Sequence, residues 1–199
     1  MNGRNVAFPE KLALPMPGNF PQENSIRTVN DLKEKIRDIP DFPQKGVLFK
    51  DITPLLKDPA CYRRAVELIA SRYRDQNIDL VVGVEARGFI LGAPFAYDLG
   101  AGIVPVRKPG KLPYRTLKAS YQLEYGTDDL EVHQDAVQPG DRVLIVDDLL
   151  ATGGTVGAVI SLVEQLEGKI IGVAFLVELT FFEGRKKLCG YETFSLIQF

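Results

Sequence analysis

Two adjacent aspartates, Asp147 and Asp148, stand just before a short loop of small and hydroxyl-bearing residues that could hold an anion. The loop consists of Ala151, Thr152, Gly153, Gly154 and Thr155. Backbone N–H groups of a glycine-rich loop at a helix start favour an anion, and the threonine hydroxyls add donors. The two acids would repel a polyphosphate, but they can accept hydrogen bonds from a vicinal diol. The residue types therefore favour a ribose 5-phosphate.

A buried strand and an amphipathic helix are predicted to position these residues. Residues 143–146 are apolar and mostly β-branched, after a turn at 139–141, which is typical of a parallel strand. Residues 156–166 have helical spacing. No lysine follows the glycines, so the Walker A pattern is absent, and their spacing does not fit G-x-G-x-x-G. An ordinary strand, turn and helix with surface acids is the alternative.

The motif at 146–155 resembles the phosphoribosyl pyrophosphate motif of the type I phosphoribosyltransferases. The similarity covers residues 36–197, with several motifs in the expected order, and it is strongest to the members that act on adenine. It implies an α/β fold: a parallel-rich twisted sheet flanked by helices, with an N-terminal base-binding hood and a flexible lid loop. Strands that alternate with helices along the chain agree with that class.

A single domain at residues 26–199 is predicted for this 199-residue chain, since single domains of this size are common. The hood is expected at about 36–56 and the lid at about 107–126. Residues 1–25 are rich in proline and lack periodicity, so we expect a flexible N-terminal extension.

Two further segments carry basic residues that could bind phosphate. Arg87 lies in a strand-to-helix turn that contains glycine, where phosphate binding is favoured over a simple ion pair. A basic cluster follows the strand predicted at 102–106, and it comprises Arg107, Lys108, Lys111, Arg115 and Lys118. A solvated charged loop is the alternative, although α/β sheets bind ligands beyond the carboxyl ends of their strands. The resemblance assigns Arg87, Arg107 and Lys111 to pyrophosphate.

The base-binding and acid–base residues follow from the resemblance. Residues 39–54 are predicted to be irregular, and their aromatic side chains could simply fasten a loop to the core. In the family this segment is the hood, which places Leu48, Phe49 and Leu179 against adenine. Glu124 on the lid is the candidate for handling the purine ring proton, whereas spacing alone favours an exposed surface glutamate.

The resemblance implies transfer of a 5-phosphoribosyl group from phosphoribosyl pyrophosphate to adenine, giving AMP and pyrophosphate. Magnesium is expected to arrive with phosphoribosyl pyrophosphate, because the sequence has no Cys/His cluster and no metal tightly bound by side chains alone is expected. A homodimer is expected by analogy. Two alternatives remain: an enzyme acting on 6-oxopurines, and a non-catalytic regulator that senses phosphoribosyl pyrophosphate or nucleotides.

Composition excludes other classes of partner. A formal net charge of −2 gives no general attraction to nucleic acid or acidic membranes. No apolar run approaches the ~20 residues of a membrane span, and the N-terminus lacks the pattern of a signal peptide. Cys61 and Cys189 are predicted to be reduced packing residues in a cytoplasmic protein. The single histidine, His133, is predicted to be a strand residue rather than a ligand.

Overall fold

The computed structural model describes residues 28–123 and 126–199, and these residues form helices around one central sheet. The helices are α1 (Val29–Glu34), α2 (Thr53–Lys57), α3 (Pro59–Ser71), α4 (Arg87–Leu99) and α5 (Gly154–Gln165). The strands are β1 (Arg37–Pro40), β2 (Leu48–Asp51), β3 (Leu80–Val84), β4 (Gly102–Val106), β5 (Thr116–Leu123), β6 (Gly126–His133), β7 (Arg142–Leu150), β8 (Lys169–Glu178) and β9 (Thr193–Gln198). The predicted extension and Glu124 lie outside the described residues.

The central sheet has five parallel strands in the order β4-β3-β7-β8-β9. Strand β7 is in the middle, and its residues 143–146 are fully buried, as their apolar sequence predicts. The prediction of a strand there is confirmed, although β7 continues four residues further, to Leu150. The sequence also predicts an edge strand at 194–197, and β9 at the edge of the sheet confirms it. The carboxyl ends of β3 and β7 therefore meet at one edge.

Helices cover both faces of this sheet. On one face, α3 and α4 contribute Ile69, Leu91 and Phe95 to a core that includes Leu144 and Val146 of β7. On the other face, α5 packs in a second apolar cluster with residues of β7 and β8. The predicted fold class is confirmed. Within the described residues, no helix is both long and apolar enough to cross a membrane.

Local capping residues fix where two of the helices begin. Thr28 caps α1, since its hydroxyl accepts from the Asp31 N–H and the Asp31 carboxylate accepts from the Thr28 N–H. Asp58 caps α3, with Pro59 at the first helical position. The sequence predicts both starts, because threonine is a common cap and proline is common in the first turn of a helix. From Asp58 the sequence predicts a helix that runs to about Gln76. The prediction is wrong at its C-terminal end, because α3 ends at Ser71 and a 3₁₀ turn covers Arg74–Gln76.

Two segments that were predicted to be mostly irregular contain antiparallel hairpins. Strands β1 and β2 pair in the hood, with Ile39 opposite Phe49. Strand β5, in the lid, pairs with β6, which follows the lid, whereas the sequence predicts a strand only at 130–132. Alternation explains the difference, because Ala119 and Leu130 face the cluster beneath α5 while Lys118 and Asp129 pair on the outer face. The basic residues and prolines obscured this period of two.

Candidate active site

The carboxyl ends of β3 and β7 form the floor of a cleft with a volume of about 450 Å³. Ligands of α/β proteins occupy this edge of the sheet. The lining comes from three segments that are distant in the sequence: Val84–Arg87, Asp147–Val156, and Lys108, Tyr121 and Leu130 near or on the β5–β6 hairpin. The cleft thus brings together Arg87, both acids and the whole of the predicted phosphate loop.

Asp147 and Asp148 occupy different electrostatic environments within this cleft. Asp148 is buried and forms an ion pair with Arg87, from Nε to Oδ2. Burial and the neighbouring Asp148 charge raise the pKa of Asp147 well above its usual value. Gly88 allows α4 to approach closely, since a Cβ there would lie 3.0 Å from Asp147 Oδ1. The pair therefore combines an acid paired with arginine and a neighbour that holds its proton more readily.

The phosphate loop enters α5 through a glycine with a left-handed backbone. Gly153 is the residue that precedes α5, and its φ of 77° is one that L side chains rarely adopt. Having no side chain, Gly153 cannot cap the first-turn N–H groups of the helix. A helix start with such donors is suited to an anion. The sequence prediction of a strand-to-helix turn here is confirmed, and the structure adds that the loop lines the cleft.

Replacement of Gly153 by valine is expected to weaken binding of phosphoribosyl pyrophosphate and to lower stability. The sequence alone predicts that a side chain here blocks the approach of phosphate, and the structure adds a nearer cause. A Cβ at Gly153 would lie 2.7 Å from the carbonyl oxygen of Gly184, and the positive φ adds strain of ~1–3 kcal/mol. Chemical denaturation and the KM for phosphoribosyl pyrophosphate measure both effects. Gly157→Val is the matched control, because a Cβ at Gly157 meets nothing within 4 Å; equal behaviour of the two variants would contradict the prediction.

Glu85 lies at the edge of the cleft and forms hydrogen bonds with three residues at the start of the basic loop. Its carboxylate accepts hydrogen bonds from Lys111 Nζ at 2.5 Å, from the Lys108 backbone N–H at 3.0 Å and from Arg107 Nε at 3.3 Å. Burial alone would raise the pKa of Glu85, but these donors outweigh it and lower the pKa to about 2. The family resemblance gives the identity of residue 85 little weight if its turn works through the backbone. The structure instead makes it the partner of two of the three predicted pyrophosphate ligands, Arg107 and Lys111.

The predicted pyrophosphate ligands are therefore only partly brought together. Arg87 lines the cleft, whereas Arg107 and Lys111 lie beside it on Glu85. Lys108 and Tyr121 line the cleft although neither was predicted to be a site residue. Both contact the carboxylate of Asp128 on β6. The only sequence signal for Lys108 was its membership of the basic cluster, and β5 alternation could have indicated Tyr121.

A second cavity, of about 330 Å³, lies under the hood and adjoins the cleft through Arg87. It is lined by Ile39, Phe42, Phe49, Asp51, Ile52, Thr53 and Arg87. The Arg87 guanidinium lies 5.5 Å from the centre of the Phe49 ring, within cation–π range, while its Nε contacts Asp148. One arginine thus separates an apolar cavity from the acid pair.

The three predicted base contacts differ in their positions. Phe49 lines the hood cavity and meets Phe42 edge-to-face, with ring centres 5.1 Å apart. Leu48 is half exposed on β2 and Leu179 is buried, and neither lines this cavity. Leu179 donates its backbone N–H to the carbonyl of Leu150, which does line the cleft. The assignments of Leu48 and Leu179 stay predictions.

The donor set in the cleft suits a metal ion that is carried by its substrate. Asp147 and Asp148 offer carboxylate oxygens, which Mg²⁺ prefers, and Mg²⁺ commonly binds through one or two carboxylates plus phosphate oxygens. Among residues 28–123 and 126–199, no group of three or more His, Cys, Asp or Glu side chains could hold a metal ion.

The chain and its fold match known proteins closely. Residues 51–195 match the phosphoribosyl transferase domain family. This match makes the chain a phosphoribosyltransferase, and the five-stranded parallel sheet with an acid pair and a phosphate-type loop at its carboxyl edge agrees with that class. The adenine phosphoribosyltransferase of Syntrophotalea carbinolica is 61% identical over 171 residues, covering 86% of this chain and 100% of the relative.

Solved structures give the same result. The adenine phosphoribosyltransferase of Thermoanaerobacter pseudethanolicus is 57% identical, with a TM-score of 0.84, and the match covers 86% of this chain and 100% of the other. The Saccharomyces cerevisiae enzyme, crystallised with an imino-altritol bisphosphate and adenine, is 40% identical with a TM-score of 0.80 over 84% of this chain and 97% of the other. The chain belongs to the adenine phosphoribosyltransferases.

Proposed function

We propose that this protein transfers the 5-phosphoribosyl group of phosphoribosyl pyrophosphate to adenine, producing AMP and pyrophosphate. The observation that carries the proposal is the arrangement of two cavities around Arg87. The cleft presents an acid pair and a phosphate-type loop, and the hood cavity beside it presents an aromatic wall. A sugar phosphate and a planar base placed in these cavities would meet at Arg87.

The residues of the cleft divide the work of binding the donor. Ala151–Thr155 hold the 5-phosphate through backbone N–H groups and threonine hydroxyls, and Asp147 and Asp148 accept from the ribose hydroxyls. Arg87, Arg107 and Lys111 stabilise the negative charge that develops on the departing pyrophosphate. Lys108 belongs with them, because it lines the cleft directly. Magnesium that arrives with phosphoribosyl pyrophosphate supplies further neutralisation of pyrophosphate charge when bound.

Adenine is held in the hood by stacking and by backbone hydrogen bonds. Phe49 supplies one stacking face, with Leu48 and Leu179 as further contacts. Strand β2 belongs to a two-stranded sheet, so one of its edges has no partner strand in the described part of the chain. An unpaired strand edge offers backbone N–H and C=O groups to a ligand. A C=O that accepts from the 6-amino group and an N–H that donates to N1 would select adenine.

Three finer features belong to the same proposal. Glu124 acts as the acid–base group for the purine, on the basis of the family resemblance alone. The enzyme acts as a homodimer, by analogy with the family. It works in the cytoplasm, which is supported by two cysteines that are both free thiols. Relatives named for adenine favour this reading over 6-oxopurine transfer or a non-catalytic sensor.

Replacement of Phe49 by alanine is expected to raise the KM for adenine while leaving the KM for phosphoribosyl pyrophosphate nearly unchanged. Loss of one aromatic stacking partner costs ~1–3 kcal/mol per base. Steady-state kinetics with each substrate varied in turn measures the split, and the donor KM serves as the internal control. Parallel increases in both KM values would contradict a base-specific role.

The direct test of the proposal follows product formation. The purified protein is incubated with phosphoribosyl pyrophosphate, Mg²⁺ and adenine, and AMP and pyrophosphate are quantified separately. Equimolar AMP and pyrophosphate that require all three components support the proposal. Pyrophosphate without AMP would indicate hydrolysis, and neither product would indicate a non-catalytic sensor.

A further inference from the structure

An ion pair between buried Glu178 and partly exposed Arg185 lies behind the phosphate loop, outside the cleft. Glu178 ends β8, and its side chain is only 5% exposed. It accepts three hydrogen bonds from Arg185, two from Nε at 2.8 and 2.9 Å and one from Nη2 at 2.8 Å. Arg185 also donates to the Thr193 carbonyl at 2.8 Å and to Ser195 Oγ at 3.2 Å. The guanidinium is therefore fixed to both β8 and β9.

Arg185 directly follows a glycine that touches the phosphate loop. Gly184 is buried and opens the 3₁₀ turn Gly184–Leu188. A Cβ at Gly184 would overlap the carbonyl oxygen of Ala151 and lie 3.0 Å from Leu150 Cδ1. The contact is mutual, because a Cβ at Gly153 would lie 2.7 Å from the Gly184 carbonyl oxygen. The turn thus packs against the loop with no space for a side chain on either backbone.

We propose that Glu178, Gly184 and Arg185 are positioning residues for the donor, acting together as a brace that sets the backbone of the phosphate loop. The brace is the 178–185 ion pair together with the glycine contact beside it. Its effect falls on the 5-phosphate subsite and not on the hood, because Gly184, the member of the brace that contacts the loop, lies against Ala151 and Gly153. The inference rests on the proposed function of that loop.

The pKa of Glu178 agrees with an ion pair that holds Arg185 in place. Burial alone would raise the pKa of Glu178, but hydrogen bonds from Arg185 and Ser195 outweigh it and lower the pKa below its usual value. A buried carboxylate left without its cation destabilises a fold, so a single Arg185 variant has two effects at once. A double variant that also neutralises Glu178 removes the unpaired buried charge. It therefore separates the effect of losing the Arg185 contacts from the effect of that charge on stability.

The first test is Gly184→Ala, which inserts a methyl group between the turn and the loop. We expect the KM for phosphoribosyl pyrophosphate to rise about tenfold or more, because displaced N–H groups lose charge-assisted hydrogen bonds to the phosphate. The KM for adenine should stay within about twofold. Gly157→Ala is the control, because a Cβ at Gly157 meets nothing within 4 Å.

The second test compares Arg185→Gln with the Glu178→Gln/Arg185→Gln double variant. Both should bind ribose 5-phosphate more weakly in calorimetry, and the double variant should recover the melting temperature without recovering that affinity. A merely structural ion pair predicts the reverse: affinity would return together with the melting temperature. If Gly184→Ala does not fold, the double variant decides the matter by itself.

The outcomes separate the brace from the proposed function. Wild-type ribose 5-phosphate affinity in the double variant and in folded Gly184→Ala would overturn the brace, even if AMP is formed. Equal rises in the KM for adenine and for phosphoribosyl pyrophosphate would overturn it as well. If the wild-type protein forms no AMP, the proposed function fails, while weaker ribose 5-phosphate binding in the variants still supports the brace.

Discussion

Asp148→Asn is expected to lower kcat/KM for phosphoribosyl pyrophosphate on the order of a hundredfold while the protein stays folded. The carboxylate is buried against Arg87 and faces the cleft in which we place the ribose. Hydrogen bonds to a charged group contribute ~1.5–3 kcal/mol each, and 1.4 kcal/mol is a factor of ten in affinity. The asparagine keeps the shape of the side chain but loses the charge that orients Arg87 and the ribose hydroxyls.

The same variant should also shift the acidic limb of the pH profile of kcat/KM to lower pH. The Asp148 charge is one cause, after burial, of the raised pKa of Asp147. Without that charge the pKa of Asp147 falls, so the form of Asp147 that accepts from a hydroxyl persists to lower pH. Steady-state kinetics across the acidic range, with the melting temperature as a folding control, tests both effects. Near-normal efficiency in Asp148→Asn would remove the ribose assignment.

Glu124→Gln is expected to lower kcat by about 10²–10⁴-fold, the usual contribution of a general acid–base group. The prediction depends on the family resemblance, because Glu124 lies outside the described residues. Adenine affinity should change much less, since the amide can still form a hydrogen bond to a ring nitrogen. Single-turnover kinetics measures the rate of the chemical step, and equilibrium binding measures the affinity for adenine. A loss of affinity at unchanged kcat would leave Glu124 as a binding residue only.

Much of the fold could be predicted because local sequence determines it. The apolar run of β7, the turn before it and the glycines after it are contiguous, so strand, loop and helix could be assigned from one stretch. The acid pair could be placed at the carboxyl edge by the same logic, since the ends of parallel strands share one edge. The structures of the hood and the lid depend less on local sequence. Their hairpins are not predicted, because charged residues and prolines mask the alternation of apolar and polar side chains.

The contacts that complete the site could not be predicted from spacing. Glu85 meets Arg107 and Lys111 more than twenty residues along the chain, through side chains from different elements. Gly184 has no local signal either, because its reason to be glycine is the loop carbonyl that it approaches in space. Such pairings depend on how the strands are ordered in the sheet. They appear only when the three-dimensional arrangement is known.

The specificity for adenine is the central claim, and one measurement tests it most directly. It is the ratio of kcat/KM for adenine to that for hypoxanthine, with phosphoribosyl pyrophosphate and Mg²⁺ held constant. Hypoxanthine presents a 6-oxo group where adenine presents an amino group, so the hood backbone groups would be left unpaired at a cost of ~1–3 kcal/mol each. We expect a ratio of roughly a hundredfold or more in favour of adenine. Comparable efficiency with the two bases would contradict the assignment.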